Sequence, residues 1–257
     1  MSLEGRRALV TGGGRGIGRA TALLLAKAGA DVALSARTKV ELDAVAEEVR
    51  ALGRTAVGIT ADVGKPDDVR ALFDSARKAL GGIDILIANA GIAPSDPLVK
   101  TSDETWSSVM AVNLSGPFYC LREALPSMAQ QGWGRVVVVA SIAGKSAMPY
   151  IAAYVASKHG VLGLTKVAAL EMASKGVTVN AVCPGYVDTA MTDGGVARIG
   201  AKTGADPALI RRKLEEQSPQ KRLVTSDEVA ALILYLCGEE ARGITGQGLN
   251  IDGGTVM

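Results

Sequence analysis

Residues 7–18 read RALVTGGGRGIG, a short apolar strand that runs into a turn built largely of glycine. Apolar residues then recur at helical spacing, and Gly29 supplies a helix stop. Glycines allow the tight turn and let a phosphate group reach backbone N–H groups at the positive end of the helix. The spacing is Gly-x-x-x-Gly-x-Gly rather than the commoner Gly-x-Gly-x-x-Gly, so a merely flexible turn stays open as an alternative.

The rest of the chain alternates strand-like and helical segments in the same manner. Helix starts are marked at Pro66, which precedes two acids, and at Ser226. This alternation predicts an α/β fold with a doubly wound, Rossmann-type parallel sheet of about seven strands and helices on both faces. No linker interrupts residues 1–257, which we interpret as a single domain. The strand-like runs are residues 7–11, 31–36, 55–60, 83–88, 135–141, 177–183 and 249–251.

A second pattern concerns three polar residues in the middle of the chain. Tyr154 and Lys158 are four residues apart in a helical segment, and Ser141 lies at the end of an apolar run. A helix brings positions i and i+4 to one face, so the phenol and the ammonium can share a pocket. We expect the ammonium to lower the pKa of the Tyr154 phenol and make it a usable general acid or base. The pair alone is a weak signal, because both residue types are common on helices.

Taken in order, these features resemble the short-chain dehydrogenase/reductase family from Thr11 to Gly254. One small departure is Ala88, where many relatives have a second asparagine. The matching landmarks are Thr11 with the glycine turn, Asp62-Val63, Asn89-Ala90-Gly91, Asn113, Ser141, Tyr154, Lys158, Pro184-Gly185 and Thr189.

The resemblance implies a reduction in which the Ser141 hydroxyl bonds the substrate oxygen and Tyr154 delivers the proton. Lys158 would tune the tyrosine and bond the nicotinamide ribose. Asn113 would hold a water that resupplies protons, although an asparagine there could also be a helix residue that bonds backbone. Catalytic roles are therefore expected for Asn113, Ser141, Tyr154 and Lys158. The expected cofactor-binding residues are Gly12, Arg15, Gly16, Ile17, Gly18, Arg37, Asp62, Val63, Asn89, Tyr154, Lys158, Pro184, Gly185, Val187 and Thr189.

The end of the second strand bears on the choice of cofactor. A NAD-selective site places a carboxylate there for the ribose hydroxyls, whereas residues 35–38 read SART. Arg37, with Arg15 in the glycine turn, can instead bond a 2′-phosphate. The sequence favours NADP(H), with NAD(H) still possible. The alternatives are solvated surface cations for the two arginines and a loop cap for Asp62, to which the resemblance assigns an adenine contact.

Composition limits the partners and the compartment. The net charge of +2 is spread along the chain with both signs mixed, which excludes a nucleic-acid-binding strip. No apolar run reaches the roughly 20 residues of a membrane span, so we expect a soluble, cytoplasmic protein. The three cysteines are predicted to be reduced and buried, and the ligand types show no metal spacing. The apolar segment around Tyr154 favours a homo-oligomer, with burial in the core of the single chain as the alternative, and the resemblance implies a homotetramer.

Substrate identity is less constrained. Residues 191–223 read as a long glycine-containing loop with a helical piece at 206–216, and we expect a mobile substrate lid at about 190–223. Its basic triplet, residues 211–213, could meet phosphates of coenzyme A or acyl carrier protein, or be a solvated helix face. The first hypothesis is a 3-oxoacyl-thioester reductase that uses NADPH. The alternatives are a NAD-dependent dehydrogenase of a hydroxy acid, secondary alcohol or polyol, and a non-catalytic nucleotide-binding scaffold.

Overall fold

The computed structural model describes residues 2–256, and its centre is a seven-stranded parallel sheet. The strands lie in the order β3-β2-β1-β4-β5-β6-β7, so the strand order reverses between β1 and β4. This confirms the Rossmann-type doubly wound sheet. The strands are β1 (Arg7–Thr11), β2 (Asp31–Ala36), β3 (Ala56–Thr60), β4 (Ile85–Ala88), β5 (Gly134–Val139), β6 (Val177–Pro184) and β7 (Gly248–Ile251).

Helices cover both faces of the sheet. Successive residues of β1 show why, since Ala8 and Val10 belong to one apolar core and Leu9 belongs to the other. The first core contains side chains of α1, α2 and α9, and the second contains side chains of α3, α5 and α6. The helices are α1 (Gly16–Lys27), α2 (Lys39–Ala51), α3 (Pro66–Leu80), α4 (Asp103–Met110), α5 (Gly116–Gln131), α6 (Ala152–Met172), α7 (Ala190–Thr203), α8 (Pro207–Gln217) and α9 (Ser226–Cys237).

Local sequence signals explain several helix ends. Pro66 is the first residue of α3, with two acids in its first turn. Thr225 and Glu228 form a reciprocal capping box at the start of α9. Both starts agree with the sequence-based prediction. The strand bounds differ by up to two residues, and the largest difference at a carboxyl end is in β5, which ends at Val139 rather than at Ser141.

The segment expected to be a long loop was predicted wrongly. Residues 190–203 form helix α7, so Gly194, Gly195 and Gly200 lie inside a helix instead of loosening a loop. Gly204 ends that helix with φ +70°, the left-handed conformation that glycine adopts most readily. Only a short connection remains before α8. The segment over the site is therefore a pair of helices.

Three further expectations can be compared with the described residues. Cys120, Cys183 and Cys237 are buried and unpaired. Within residues 2–256, none of the helices combines the length and apolar character that crossing a bilayer requires. The same residues contain no group of three histidine, cysteine or acidic side chains placed to hold a metal ion.

Candidate active site

Two adjoining cavities open at the carboxyl ends of the strands, where the strand order reverses. Parallel α/β sheets bind their ligands at this position. One cavity follows the glycine turn and the ends of β2 and β3, and we call it the dinucleotide groove. The other, of ≈ 260 Å³, lies between the end of β5, helix α6 and helix α7, and we call it the reaction cavity. Both cavities share Ile17, Asn89, Gly91, Thr189 and Met191.

The glycine turn is held in shape by backbone contacts that exclude side chains. Gly12 and Gly16 have positive φ angles of 64° and 52°. A Cβ atom added at Gly18 would lie 2.1 Å from the Gly12 carbonyl oxygen, a distance that backbone cannot accommodate. Arg15, which precedes α1, makes no side-chain cap, so the first N–H groups of α1 have no side-chain partner at this end. These free N–H groups suit a phosphate.

Gly18→Ala is expected to deform this turn. The added methyl group must push the Gly12 carbonyl away, and a displacement of the turn moves the N–H groups at the start of α1. We expect binding of the dinucleotide to weaken at least about tenfold, together with a fall in melting temperature. Fluorescence titration with NADPH measures the first effect. Gly163→Ala is the matched control, because Gly163 also lies in a helix without a positive φ but has nothing within 4 Å of the added atom. Wild-type affinity in Gly18→Ala would contradict this reading of the turn.

Thr11 and Asn89 fasten the glycine turn to the end of β4. The Asn89 side chain donates to the carbonyl oxygens of Thr11 and Gly12 at 2.9 and 3.1 Å. The Thr11 hydroxyl accepts from the backbone N–H groups of Asn89 and Ala90 at 3.0 and 3.2 Å. Asn89 therefore shapes both cavities through the backbone that it holds.

Two arginines line the dinucleotide groove, one without an ion-pair partner and one beside a carboxylate. Arg37 lines the dinucleotide groove and has no carboxylate within ion-pair distance in the described part of the chain. The Arg15 guanidinium lies 3.8 Å from Glu41, which also lines the groove. Asp62 and Val63 line the groove too, and the Asp62 carboxylate accepts from the Gly64 N–H at 3.0 Å. Asp62 thus caps its own loop, the alternative that the sequence had left open.

Ser141, Tyr154 and Lys158 all line the reaction cavity. Ser141 follows β5, and its hydroxyl oxygen accepts from the Ala143 N–H at 3.1 Å, which leaves the hydroxyl hydrogen free to donate. The Lys158 ammonium is buried, donates to the Val139 carbonyl oxygen at 2.7 Å, and lies 5.5 Å from the centre of the Tyr154 ring. The structure therefore brings these three predicted residues together.

The expected effect of Lys158 on Tyr154 is not found in the protein alone. Burial raises the pKa of the Tyr154 phenol above its ordinary value, and the Ser141 hydroxyl opposes only part of that increase. Burial also lowers the pKa of the Lys158 ammonium to about 8. Each group is desolvated at this position, so burial dominates over attraction between them. Tyr154 consequently stays protonated at neutral pH, the form that can donate a proton.

Asn113 lies on a π-helical turn, Ala111–Ser115, between α4 and α5. It is buried, and its side-chain oxygen accepts from the Ile92 N–H at 2.9 Å. Its amide donates to the Ile92 carbonyl at 2.9 Å and to the Ser157 hydroxyl at 3.3 Å. Asn113 therefore bonds backbone groups, which was the second of the two roles that the sequence analysis left open. A Cβ built at Gly91 would lie 3.4 Å from the Asn113 side-chain oxygen and 3.9 Å from the Lys158 nitrogen, so only a glycine separates the two groups.

The far wall of the reaction cavity follows β6 and helix α7. It is lined by four residues that the sequence analysis assigned to cofactor binding, Pro184, Gly185, Val187 and Thr189. The predicted cofactor-binding residues of the glycine turn line the dinucleotide groove, namely Gly12, Arg15, Gly16 and Ile17. Gly18 does not line the groove but packs against the Gly12 backbone. Sequence reasoning missed several lining residues on α7, for which it had no signal once that segment was read as a loop. They are Met191, Thr192, Gly195, Val196, Arg198 and Ile199.

The basic triplet of α8 is largely engaged in ion pairs. Arg211 contacts Asp188, Asp193 and Glu215 at 2.7, 3.0 and 3.4 Å. Arg212 pairs with Glu216 at 3.1 Å. The triplet is therefore better interpreted as a helix face of paired charges than as a phosphate-binding patch.

Comparison with known proteins identifies the family. A family model described as enoyl-(acyl carrier protein) reductase matches residues 12–256. A D-beta-hydroxybutyrate dehydrogenase of Rhizobium meliloti (strain 1021) is 39% identical over 252 residues, 97% of this chain and 98% of that protein. A 3-oxoacyl-(acyl-carrier-protein) reductase of Staphylococcus epidermidis is 38% identical over 253 residues, 98% of this chain and 99% of that protein. The chain belongs to the short-chain dehydrogenase/reductase family.

Solved structures of short-chain dehydrogenases/reductases agree with this assignment. A variant of actinorhodin polyketide ketoreductase crystallised with NADPH has a TM-score of 0.94 and 36% identity, covering 99% of both chains. A short-chain type dehydrogenase/reductase from Mycobacterium marinum has a TM-score of 0.89 and 34% identity, covering 99% of this chain and 96% of that one. As a member of this family, the protein is an oxidoreductase that acts on carbonyl or alcohol groups with a nicotinamide cofactor. The glycines that line the dinucleotide groove and the N–H groups without side-chain partners at the start of α1 suit the phosphates of such a dinucleotide.

Proposed function

We propose that the protein reduces the 3-oxo group of an acyl thioester, carried on coenzyme A or acyl carrier protein, with NADPH. The observation that carries the proposal is the convergence of Ser141, Tyr154 and Lys158 on an apolar cavity that adjoins the dinucleotide groove. An apolar cavity suits an acyl chain, and the few polar groups in it can orient one carbonyl. The named relatives that act on 3-oxoacyl groups support the same substrate class.

The proposed roles follow from the hydrogen-bonding capacity of each side chain. The cofactor supplies the hydride, and negative charge then develops on the substrate oxygen. Ser141 donates its hydroxyl hydrogen to that oxygen, while the hydroxyl oxygen still accepts from the Ala143 N–H. Tyr154, kept protonated by burial, gives the proton. Lys158 bonds the nicotinamide ribose, and Asn113 holds the loop around Ile92 that passes beside the ammonium.

NADP(H) is the proposed cofactor because the end of β2 offers a free arginine and no acid in residues 35–38. Arg37 is the main partner for a 2′-phosphate in this proposal. Arg15 contributes less than the sequence alone suggested, since its guanidinium already lies beside Glu41. The other predicted groove residues, Asp62 and Val63 among them, would contact the adenosine half.

Arg37→Asp is expected to shift the preference toward NAD(H). The substitution removes the cation that attracts the 2′-phosphate and adds a carboxylate that repels it and can bond ribose hydroxyls. We expect the ratio of kcat/KM for NADPH over NADH to fall by about 100-fold or more. Absorbance at 340 nm with both coenzymes gives the ratio. An unchanged ratio would reject the electrostatic argument.

Glu41→Gln provides a matched change of opposite sign at the same site. Removing the carboxylate frees the Arg15 guanidinium and lowers repulsion of a phosphate in the groove. The ratio should therefore rise by a few fold, roughly the value of an exposed ion pair. A fall in this variant would show that Glu41 positions Arg15 instead of competing with the phosphate.

A second candidate is a dehydrogenase of a free hydroxy acid. It is favoured by the 39% identity to a D-beta-hydroxybutyrate dehydrogenase over nearly the whole of both chains. A spectrophotometric screen at 340 nm separates the two candidates, with NADPH and NADH tested against acetoacetyl thioesters, free 3-oxo acids and cyclic ketones. The first proposal requires the highest kcat/KM with a thioester and NADPH. A preference for free acids with NADH would support the second.

The proposal includes one catalytic unit of residues 1–257, a lid formed by α7 and α8 at about 190–223, and assembly as a homotetramer. The assembly is supported by large apolar side chains that the single chain leaves exposed on two neighbouring helices. Leu170 is 82% exposed and Val167 is 53% exposed on α6, and Phe118 is 43% exposed on α5. Light scattering coupled to size exclusion tests the assembly, and a monomer at micromolar concentration would contradict it.

A further inference from the structure

Arg198 stands out in the reaction cavity because of its charge and its lack of a counterion. The residues that line the cavity include no aspartate or glutamate, and Lys158 and Arg198 are its two cations. Lys158 is buried beside Tyr154, whereas Arg198 lies on the lid helix α7 and is exposed. The charge of Lys158 belongs to the catalytic group. The charge of Arg198 has no assigned use in the proposed reaction.

The neighbours of Arg198 leave most of its hydrogen-bonding capacity free. In the described part of the chain its one side-chain hydrogen bond is a donation to the Ala93 carbonyl oxygen at 3.2 Å, and no carboxylate lies within ion-pair distance. Asp188 and Asp193, the two acids that precede Arg198 in this part of the sequence, are bound to Arg211 instead. A guanidinium has five N–H donors, so Arg198 can still make a bidentate contact with an oxyanion.

The Arg198 side chain extends over two glycines in the middle of α7 and lines the cavity. Helical side chains lean toward the N-terminus of their helix, so Arg198 extends over the preceding turn. That turn holds Gly194 and Gly195. An added methyl group at Gly194 would lie 3.4 Å from one guanidinium nitrogen, and at Gly195 it would lie 3.9 Å from the other. Both distances are ordinary van der Waals contacts, so the guanidinium lies directly over the glycine pair, and Gly195 itself lines the cavity.

We propose that Arg198 binds an anionic oxygen group carried by the substrate, either the carboxylate of a free 3-oxo acid or a phosphate of a pantetheine-based carrier. The proposal rests on the proposed function and names the residue that selects among its substrates. Both groups present oxyanions that a guanidinium recognises in the same way. Arg198 is thus a specificity-determining residue on the lid, distinct from the residues that act on the carbonyl.

Four matched substrates test this role in wild type and Arg198→Gln. Acetoacetate is paired with neutral ethyl acetoacetate, and acetoacetyl-CoA is paired with neutral S-acetoacetyl-N-acetylcysteamine. We expect kcat/KM to fall about 10- to 100-fold for one anionic member, which is the size of a charge-assisted hydrogen bond, while its neutral counterpart changes little. A loss confined to acetoacetate identifies a carboxylate ligand, and a loss confined to acetoacetyl-CoA identifies a phosphate. Arg198→Lys should recover part of the loss.

Lys202→Gln is the control for a purely structural role. Lys202 also tethers α7 to the loop after β4, through the Ser95 carbonyl at 3.0 Å and Asp96 at 2.7 Å, but it does not line the cavity. If Lys202→Gln reproduced the selective loss, or if Arg198→Gln affected charged and neutral substrates equally or not at all, the proposal would be overturned.

Calorimetric binding of acetoacetate and of CoA separates this proposal from the proposed function. Absence of turnover with all four substrates would defeat the reductase assignment. Weaker binding of either anion by Arg198→Gln than by wild type would still support Arg198, and equal binding of both would contradict it.

Discussion

Replacing Tyr154 by phenylalanine is expected to lower kcat for carbonyl reduction by about 10²- to 10⁴-fold, the usual contribution of a general acid. The substitution removes only the phenolic oxygen and keeps the ring beside the Lys158 ammonium. The cavity wall should therefore stay intact. Stopped-flow measurement of NADPH oxidation gives the rate, and fluorescence titration gives the affinity for NADPH, which should change little.

Tyr235→Phe is the matched control for this prediction. It makes the same chemical change on α9, where Tyr235 is 42% exposed and lines neither cavity. It should leave both rate and affinity at wild-type values. Turnover by Tyr154→Phe at the wild-type rate would mean that the proton comes from another group, and the proposed roles would have to be abandoned.

Ser141→Ala is expected to lower kcat about 10²- to 10³-fold, the cost of removing one donor to a developing oxyanion. The hydroxyl oxygen accepts from the Ala143 N–H and lines the cavity, where its hydrogen can be donated to the Tyr154 oxygen or to a substrate oxygen. The variant also loses the cap of the short turn at residues 142–144, which costs about 1 kcal/mol of stability. Ser141→Thr, which keeps the hydroxyl and the cap, should retain much more activity.

Ser146→Ala separates the two effects of Ser141→Ala. The Ser146 hydroxyl donates to the Ile142 carbonyl at 3.1 Å in the same segment but lies outside the cavity lining. We expect a small change in melting temperature and no change in kcat. Equal losses of activity in Ser141→Ala and Ser146→Ala would reveal a role in folding of this segment rather than in oxyanion stabilisation.

The fold could be predicted from the sequence because parallel strands that are buried on both faces consist of nearly continuous apolar residues. The run at residues 136–139 is four valines, and the structure buries all four in β5. The glycine turn of residues 12–18 was readable for a similar reason, since a side chain at Gly18 would collide with the Gly12 backbone. Such positions tolerate few residue types, so their sequence carries the structural information.

The lid was misread because glycine has a low helix propensity, which tertiary packing can override. Gly194 and Gly195 suggested a flexible loop, yet they lie within α7. Local propensity also cannot show that the Arg198 guanidinium lies over these two residues, because that contact depends on the three-dimensional arrangement. Arg198 itself carries no sequence signal that separates it from the paired arginines of α8.

The pKa shifts at the site could not be predicted from the sequence either. The four-residue spacing of Tyr154 and Lys158 correctly placed both at one cavity, but it did not predict that burial would outweigh their attraction. That balance depends on how completely the fold removes both groups from water, which the spacing does not specify. The ion pair between Arg15 and Glu41 could not be predicted either, because it joins a turn to a helix residue 26 positions later in the sequence.

Hydride transfer at this site can be measured most directly by isotope labelling. The enzyme is incubated with acetoacetyl-CoA and NADPH that carries deuterium at both C4 positions, and the hydroxyacyl product is analysed by mass spectrometry. We expect one deuterium in the wild-type product, on the carbon that bore the carbonyl, and strongly slowed formation of that product in Tyr154→Phe. A protein that binds NADPH but forms no product, or a product without deuterium at that carbon, would contradict it.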